Sequence, residues 1–462
     1  MLNSTQPSQP KPLAWIRVCG DAPYFETEQG DSWIPIGQND AITWPDFQGL
    51  FRRKDVARVE GHMAYLAAHG ITCIRMMMEY GQTENRYLEK PVGTFQPNMI
   101  QFWDDLFRLC EQYKIRVLLT PFDTFWMARR WKCHQYNALS GGPCKSKWQW
   151  LTDEGMIMAI KNRFTFFIER WGASGVIFGW DLWNEINPLN AGKSLENLYQ
   201  YIDQISAHIR EKEMLLYKKP RPQTVSVFAP LQKKHAMDDI IFRHPMLDFA
   251  STHFYQTGSI DYPRNVNAAA VTTGKMVKEA LQLLPPGRPF LDTEHGPISY
   301  FRRRRRGLPE AFDDLYFLHM QWAHLAAGAA GGGMRWPYRY PHTLTHGMRR
   351  AQLNLAQFAR LIDWQNFKRK NLNDQISVIG PKVQVFGCGD AHQAIVWILT
   401  SADESLLTLS VPGLADGAYI VHFWDTLTGI LSSNNIIKQD AELSIQCQMT
   451  TTNLALAIRR QL

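Results

Sequence analysis

The sequence of 462 residues lacks the features that mark membrane, nucleotide-binding and metal-binding proteins. No stretch reaches the about 18 consecutive apolar residues of a membrane span. The first twelve residues are polar and have no signal-peptide core, so we expect a cytoplasmic protein, or a secreted one whose leader has been removed. No Gly-x-x-x-x-Gly-Lys phosphate loop and no Cys-x-x-Cys pair occurs. We therefore expect no cofactor, no metal and no membrane partner.

The sequence also carries little net charge outside one segment. Its 50 lysines and arginines exceed its 43 aspartates and glutamates by seven, and five of these cations form the run from Arg302 to Arg306. The run suits either a solvated loop, which we favour, or a site for an acidic glycan. Because no aromatic interleaving or second basic stripe accompanies it, we expect no nucleic-acid partner.

Short apolar runs alternate with longer stretches whose apolar residues recur every three or four positions, which predicts strands alternating with helices. The predicted strands are 33–37, 71–77, 115–121, 176–183, 224–228, 247–253, 289–293 and 331–336. Eight strands, each followed by a return segment, predict a (β/α)8 barrel. A doubly wound sheet would show fewer strands and a glycine-rich first turn.

The character of the sequence changes near residue 371. From there to the end it shows short alternating strands, separated by turn signals, with no helical period, which predicts a small antiparallel β-sandwich. We expect a polar tail at 1–13, a catalytic barrel at 14–371 and the sandwich at 372–462. The sandwich either clamps the barrel or binds carbohydrate. Its two tryptophans, Trp397 and Trp424, fall within strand patterns, where core positions are the default.

Two glutamates follow apolar strands directly. Glu185 comes after the fourth predicted strand and before Pro188, and Glu294 after the seventh and before Gly296. The carboxyl ends of barrel strands form the usual catalytic face, and strands four and seven lie on opposite sides of it. A facing pair of carboxyl groups is what cleavage of a glycosidic bond needs. Each glutamate alone would ordinarily be a strand-end partner in a salt bridge, and it is the pair that favours catalysis.

The blocks Trp183-Asn-Glu185 and Glu294-His-Gly296 resemble clan A glycoside hydrolases, family 5 above all, over residues 14–370. The resemblance implies a retaining β-glycosidase with Glu185 as acid/base and Glu294 as nucleophile. It further implies substrate-binding roles for Asn184, Arg75, His253, Tyr255 and Trp336. Asn184 would bind the sugar 2-hydroxyl, Tyr255 would contact the nucleophile, and Trp336 would form a platform for the sugar ring. Arg75 would lower the pKa of the nucleophile.

One position departs from the family pattern. Where family 5 members commonly have a histidine near the end of strand three, this chain has Asp123, which either contacts substrate or stabilises a turn. The long segment that follows contains Trp126, Trp131, Trp148 and Trp150. Long segments at this face usually shape a cleft, so we expect at least one of these tryptophans to contact sugar and others to pack the segment onto the barrel.

Together these features predict a retaining β-glycosidase without a cofactor, acting on β-linked gluco- or manno-configured oligo- or polysaccharides. The resemblance favours a β-1,4 linkage. Two alternatives stay open: transglycosylation with the same residues, and a non-catalytic glycan-binding protein. An opposed pair of glutamates argues against the second, since binding alone does not require it.

Overall fold

A (β/α)8 barrel followed by an antiparallel β-sandwich makes up the chain, as the sequence predicts. The computed structural model describes residues 12–83, 86–298, 307–337, 343–401 and 405–461. The strands are β1 (Ile16–Val18), β2 (Phe25–Thr27), β3 (Ser32–Trp33), β4 (Gly37–Asp40), β5 (Cys73–Met77), β6 (Arg116–Thr120), β7 (Ile177–Asp181), β8 (Gln223–Thr224), β9 (Ser226–Phe228), β10 (Ala250–Phe254), β11 (Phe290–His295), β12 (Lys370–Asn371), β13 (Ser377–Ile379), β14 (Gln384–Gly389), β15 (Gln393–Leu399), β16 (Ser405–Val411), β17 (Gly417–Asp425), β18 (Leu431–Lys438), β19 (Leu443–Met449) and β20 (Asn453–Arg460). The helices are α1 (Gln48–Arg52), α2 (Val56–Ala68), α3 (Pro97–Gln112), α4 (Thr124–Arg130), α5 (Glu154–Trp171), α6 (Leu195–Tyr217), α7 (Ala229–Lys234), α8 (Val266–Leu283), α9 (Glu310–Ala327) and α10 (His346–Ala359). Within these described ranges, no helix combines the length and the hydropathy needed to span a bilayer.

The barrel strands pair in parallel and in chain order. One run contains β4 to β8 and the other contains β9 to β11. β8 and β9 are two parts of the fifth barrel strand, separated by Val225. The ring closes through Arg335, whose backbone bridges Gln38 of β4 on one side and His295 of β11 on the other. The carboxyl ends of the strands therefore meet at one face of the barrel.

The eighth barrel strand is shorter than the predicted strand 331–336. Arg335 alone makes bridges to both neighbouring strands. Residues 331–333 are all glycine, and Gly333 has φ of +74°, in the left-handed region. Glycine loses more conformational entropy than other residues when it becomes extended, which explains why pairing is confined to the end of the predicted strand.

The first barrel strand begins where the predicted strand 33–37 ends. β4 covers Gly37–Asp40, and its side chains are buried although most of them are polar. The side-chain amide of Asn39 donates to the carbonyl oxygens of Thr293 (2.9 Å) and Met334 (3.1 Å). Buried polar side chains are tolerated when they are hydrogen bonded, and an apolar pattern cannot locate such a strand.

An antiparallel meander of β1, β2 and β3, which the apolar pattern did not predict, covers the amino-terminal end of the barrel. The Phe25 ring lies 6.0 Å from Phe178 and 5.4 Å from Phe249. These two phenylalanines lie near the starts of β7 and β10. The meander thus packs on the end of the barrel that serves stability and leaves the opposite face for chemistry.

A buried charge network anchors the long segment between β6 and α5. Arg163 on α5 pairs with Glu79 (Nη1 to Oε1, 2.5 Å) and with Glu89, and donates to the carbonyl oxygen of Pro121 (3.0 Å). The Nε2 atom of His134 lies 3.0 Å from Glu79. Burial would raise the pKa of Glu79, but Arg163 and His134 lower it to about 2. The network therefore ties this segment to the barrel through an ionised carboxylate.

The C-terminal sandwich has two sheets. The larger has the order β12-β14-β15-β20-β17-β18 and the smaller β13-β16-β19, and all pairs are antiparallel. Apolar side chains between the sheets form a separate core, which includes Val396, Ile398, Leu407, Leu409 and Ile445. This alternation of inward apolar residues is typical of a sandwich.

The other face of the larger sheet packs on helices of the barrel. The Trp397 ring lies 5.5 Å from His319 on α9 and 4.9 Å from Phe386. The Trp424 ring lies 6.3 Å from Phe358 on α10. Both tryptophans of the sandwich are buried at this interface. Their placement supports the structural clamp, since both rings pack against side chains of the barrel helices.

We expect Trp397→Ala to destabilise the protein by about 3–5 kcal/mol, because it leaves a cavity in a fully buried contact. Thermal unfolding followed by circular dichroism would measure the loss. Ile379→Ala is the matched control, since Ile379 is 74% exposed in the same sandwich and its truncation should change little. A Trp397→Ala protein that melts at the wild-type temperature would contradict the clamp.

Candidate active site

The structure brings together residues from the ends of four barrel strands. Glu294 lies in β11 and its Cα pairs with that of His253 in β10. Arg75 lies in β5, and Glu185 follows the end of β7. All four are at the carboxyl-terminal face of the barrel, where catalytic groups are found in enzymes with this architecture.

The two glutamates face each other beside His253. One carboxylate oxygen of each glutamate and one ring nitrogen of His253 all lie within 4.8 Å of one another. His253 Nδ1 is 3.1 Å from Glu185 Oε1 and 3.9 Å from Glu294 Oε2. The Glu185 side chain is 23% exposed and that of Glu294 is 9% exposed. One carboxyl group is thus accessible to solvent while the other is nearly enclosed.

Both oxygens of Glu294 accept hydrogen bonds. Arg75 Nη1 donates to Oε2 (3.1 Å), and the Tyr255 hydroxyl donates to Oε1 (2.6 Å). Burial raises the pKa of Glu294, and the charge of Glu185 adds to this, whereas His253, Arg75 and Tyr255 lower it. Because burial is the largest effect, the pKa of Glu294 lies above its ordinary value. Arg75 acts in the predicted direction, since it lowers the pKa of Glu294, but burial outweighs its effect.

Arg75 connects the strands around the site. Its fully buried guanidinium donates to Asp181 (Nη2 to Oδ2, 2.7 Å), Asn184 (2.5 Å) and Asn39 (2.9 Å) as well as to Glu294. Burial alone would lower the pKa of Arg75, but the carboxylates of Asp181 and Glu294 raise it above its ordinary value. Arg75 is consequently a permanent buried cation.

A turn in the backbone lets two adjacent residues face the site. Glu185 has φ of +49°, in the left-handed region, and its N–H donates to the Ser226 hydroxyl (3.2 Å). The N–H of Asn184 donates to the carbonyl oxygen of Phe122 (2.9 Å). In an extended strand, neighbouring side chains point to opposite sides. The left-handed residue, which costs about 1–3 kcal/mol, removes this restriction so that Asn184 contacts Arg75 and Glu185 contacts His253.

Asp123 acts on the site through Asn184. It is fully buried, and one of its oxygens accepts the N–H of Trp126 and so caps α4. The other oxygen accepts the side-chain amide of Asn184. Burial raises the pKa of Asp123 well above its ordinary range, while these two hydrogen bonds oppose the rise. Of the two alternatives that the sequence left open, these contacts support the turn.

Four aromatic side chains form what we name the aromatic wall: Trp44, Tyr80, Trp126 and Trp336. The Trp336 ring lies 4.9 Å from Trp44 and 5.6 Å from Tyr80, and Tyr80 lies 4.4 Å from Trp126. Trp336 and Trp44 share a cluster with Tyr255, which is bonded to Glu294. The wall therefore extends from the catalytic face outward, and aromatic faces of this kind suit the C–H groups of sugar rings.

The other tryptophans after β6 have different surroundings. Trp131 and Trp150 pack against each other at 5.1 Å, and Trp150 lies 5.9 Å from Trp183. Trp148 is 49% exposed. The structure thus separates Trp126, which joins the wall, from two tryptophans that fix the segment to the barrel.

Several residues of the site were not singled out from the sequence: Asn39, Trp44, Tyr80, Asp181 and Ser226. Asp181 could have been found from the sequence. It is an acidic residue inside an apolar strand, and a buried acidic residue needs a buried cation beside it. Trp44 and Tyr80 follow β4 and β5 in irregular segments, where no periodic pattern marks them. The run from Arg302 to Arg306 falls outside the described residues.

In the part of the chain that the structure describes, three groups of side chains have ligand atoms close enough for a metal ion: Glu185, His253 and Glu294; Asp292, His295 and His324; and Asp40, Asp46 and His62. In the first, Arg75 already places a positive charge 3.1 Å from Glu294. In the second, both histidines lie within 3.0 Å of Asp292 in hydrogen bonds. In the third, the buried cation Arg349 lies close enough to affect the pKa of His62. We assign none of these groups to a metal.

Comparison with solved structures finds glycoside hydrolases. A family 5 glycoside hydrolase from Bacteroides vulgatus ATCC 8482 is 11% identical, with a TM-score of 0.63 over 96% of this chain and 94% of that one. A family 5 mannosidase from Rhizomucor miehei is 14% identical, with a TM-score of 0.53 over 75% of this chain and 99% of that one. The endo-β-1,4-mannanase from Thermotoga petrophila is 13% identical, with a TM-score of 0.51 over 90% of this chain and 98% of that one.

In sequence, no protein-family model and no curated protein matches the chain. The similarity to these enzymes is therefore one of structure. The chain has the fold of family 5 glycoside hydrolases, as the resemblance of its motifs predicted.

Proposed function

We propose that the protein is a retaining β-glycosidase that cleaves β-linked, gluco- or manno-configured oligo- or polysaccharides by double displacement. The observation that carries the proposal is the spacing of Glu185 and Glu294, which have carboxylate oxygens within 4.8 Å of each other. Retaining enzymes place the two carboxyl groups about 5–5.5 Å apart, whereas inverting enzymes leave about 6.5–9.5 Å for a water molecule. The spacing supports direct attack by one glutamate.

In the first step, Glu294 attacks the anomeric carbon and forms a glycosyl-enzyme ester. Glu185 gives its proton to the departing glycosidic oxygen, so the bond breaks without releasing an alkoxide. Exposure favours this assignment, because Glu185 is the more accessible of the two and can meet both leaving group and solvent. Arg75 and Tyr255 hold the two Glu294 oxygens in fixed positions for the attack.

In the second step, Glu185 takes a proton from water, and the resulting hydroxide attacks the anomeric carbon and releases Glu294 as a carboxylate. Burial opposes the charge that reappears on Glu294, and Arg75 and Tyr255 offset this by donating to it. His253 hydrogen bonds Glu185 at 3.1 Å and so holds it in place through the change of its protonation state. An acceptor sugar in place of water would give transglycosylation with the same residues.

The aromatic wall supports a carbohydrate substrate. Two of its rings, Trp44 and Trp336, share a cluster with Tyr255, which hydrogen bonds Glu294, so the wall offers apolar faces beside the proposed catalytic carboxyl groups. Arg75 and Asp123 hydrogen bond the Asn184 side chain and hold it in one orientation. A residue that binds a sugar hydroxyl must be held in this way. The structural neighbours include a mannosidase and an endo-β-1,4-mannanase, and we accordingly place β-1,4-linked mannosides and glucosides first among the substrates to test.

We expect a panel of aryl β-glycosides (mannoside, glucoside, galactoside, xyloside, glucuronide and cellobioside) to contain a substrate whose turnover Glu294→Gln abolishes. The variant loses the nucleophile but keeps the shape of the site, so kcat should fall by a factor of about 10⁴ or more. Glu196→Gln is the control, since Glu196 is exposed on α6. Tight binding of oligosaccharides without any product from the wild-type protein would instead favour a glycan-binding role.

The same panel tests the acid/base. Glu185→Ala should still form the glycosyl-enzyme from an activated dinitrophenyl glycoside, because a good leaving group needs no protonation. Added azide should then restore turnover and yield a β-glycosyl azide. An α-glycosyl azide, or no rescue, would contradict the role given to Glu185.

We further expect Asp123→Asn to lower kcat about tenfold with little change in KM. The substitution replaces one acceptor oxygen by an NH2 group, so either the cap on Trp126 or the bond to Asn184 is lost, at a cost of about 1.4 kcal/mol in the transition state. Asp153→Asn is the matched control, because Asp153 caps α5 in the same way away from the site. Unchanged kcat in Asp123→Asn would show that Asn184 does not depend on Asp123.

A further inference from the structure

The segment after β6 contains basic residues but no acidic ones. From residue 124 to residue 152 the chain has five lysines and arginines and no aspartate or glutamate. The segment starts at the carboxyl end of a barrel strand, so it belongs to the catalytic face. Of its acidic neighbours in sequence, Asp123 is buried and already holds Asn184, while Asp153 caps α5 and is followed by Glu154. Within the described ranges, none of the lysines and arginines of this segment forms an ion pair with a carboxylate.

Four arginines from three successive connections form what we name the arginine rim: Arg52, Arg86, Arg129 and Arg130. Arg129 and Arg130 end α4, Arg52 ends α1, and Arg86 follows β5. Arg129 lies over the Trp126 ring at 5.6 Å. The rim is thus in contact with the outermost member of the aromatic wall.

The distances along the wall connect the rim to the catalytic pair. Trp126 is 4.4 Å from Tyr80, and Tyr80 is 5.6 Å from Trp336, which shares a cluster with Tyr255. The Tyr80 hydroxyl accepts from Trp44 Nε1 at 3.0 Å, which fixes the ring. A sugar chain that runs along the wall from the catalytic glutamates therefore reaches the rim within a few ring contacts.

The connections that carry the rim arginines lie against one another. The Arg86 guanidinium lies over the ring of Phe51, the neighbour of Arg52, at 5.6 Å, and the Tyr87 hydroxyl donates to the carbonyl oxygen of Cys133 (3.4 Å), shortly after Arg130. In line with this proximity, burial lowers the pKa of Arg86, and the charges of Arg130 and Arg52 lower it further.

The rim arginines also lack acidic partners. Among the residues that the structure describes, no carboxylate lies within 4.0 Å of any rim guanidinium. Exposed arginines elsewhere do have such partners, as Arg53 has in Asp105 (3.0 Å) and Arg170 in Asp104 (2.6 Å).

An uncompensated cluster of guanidinium groups is suited to an oxyanion. Arginine presents paired N–H donors in a plane, which match the two oxygens of a carboxylate or two oxygens of a sulfate. Binding an anion would relieve the mutual repulsion that the rim carries without one. The adjoining Trp126 face provides the apolar contact for the ring that bears the anionic group.

We propose that the arginine rim binds the carboxylate or sulfate group of an acidic sugar, so that the preferred substrate is an anionic β-linked oligosaccharide. This inference rests on the proposed glycosidase function for its substrate but not for the anion site itself. It assigns the rim to recognition and leaves the chemistry with Glu185 and Glu294. The rim then selects among substrates by charge, several sugar-ring contacts from the bond that is cleaved.

The test is binding to full-length Glu294→Gln protein, measured by isothermal titration calorimetry. The probes are mannotetraose and cellotetraose, the same two oxidised at C6 to uronates, and the same two O-sulfated. We expect at least one anionic form to bind tenfold or more tightly than its neutral parent, with an affinity that falls as salt rises. The uronate and sulfate arms show which oxyanion the rim takes.

Arg129→Gln with Arg130→Gln, added to the same protein, should remove the preference for the anionic form and leave the Kd of the neutral parent unchanged. Arg243→Gln is the matched control, because Arg243 is an exposed arginine that pairs with Asp239 away from the rim. Equal affinity for neutral and anionic probes, an equal loss on both, or no binding of any probe overturns the proposal. Unchanged melting temperatures verify that the variants fold.

The two proposals fail separately. If the wild-type protein hydrolyses neutral glycosides and the rim variant keeps full kcat and KM on anionic ones, the glycosidase stands and the rim is refuted. If anionic probes bind through the rim but no glycoside in any form is cleaved, the rim stands and the glycosidase is refuted.

Discussion

The buried guanidinium of Arg75 is the interaction on which the site depends. It reaches Asp181, Glu294, Asn184 and Asn39, which come from three different barrel strands or their ends. A cation that is removed from water is stable only when carboxylates and further acceptors surround it. Conversely, the buried carboxylates of Asp181 and Glu294 need this cation. The same set of contacts therefore stabilises the barrel and fixes the position of Glu294.

Other residues at the carboxyl-terminal face of the barrel are connected to Arg75 through successive hydrogen bonds and ion pairs. Asn184 joins Arg75 to Asp123, which caps α4 and so starts the long segment after β6. The network of Arg163 and Glu79 fixes that segment to α5 and to the end of the second barrel strand. Trp126 of α4 then contributes to the aromatic wall. The position of the Trp126 ring thus depends on buried hydrogen bonds at both ends of its segment.

The sequence allowed us to identify those site residues that directly follow a predicted barrel strand. Glu185 and Glu294 stand out because polar residues and chain breakers follow buried apolar runs directly. It could not predict β4, whose side chains are polar yet buried, nor the shortening of the eighth strand by three glycines. The strands of the N-terminal meander have two or three residues, too few for a period. The role of Asp123 depends on a contact across 61 positions of sequence, which no local pattern contains.

The central claim is that Glu294 attacks the sugar directly while Glu185 supplies and removes the proton. Proton NMR of the first sugar released from an aryl β-glycoside tests this most directly, since the anomeric signal is recorded before mutarotation. Two successive inversions at the anomeric carbon must yield the β-anomer first, with the α-anomer appearing later. An α-anomer as the first product would show a single displacement by water and would contradict the account.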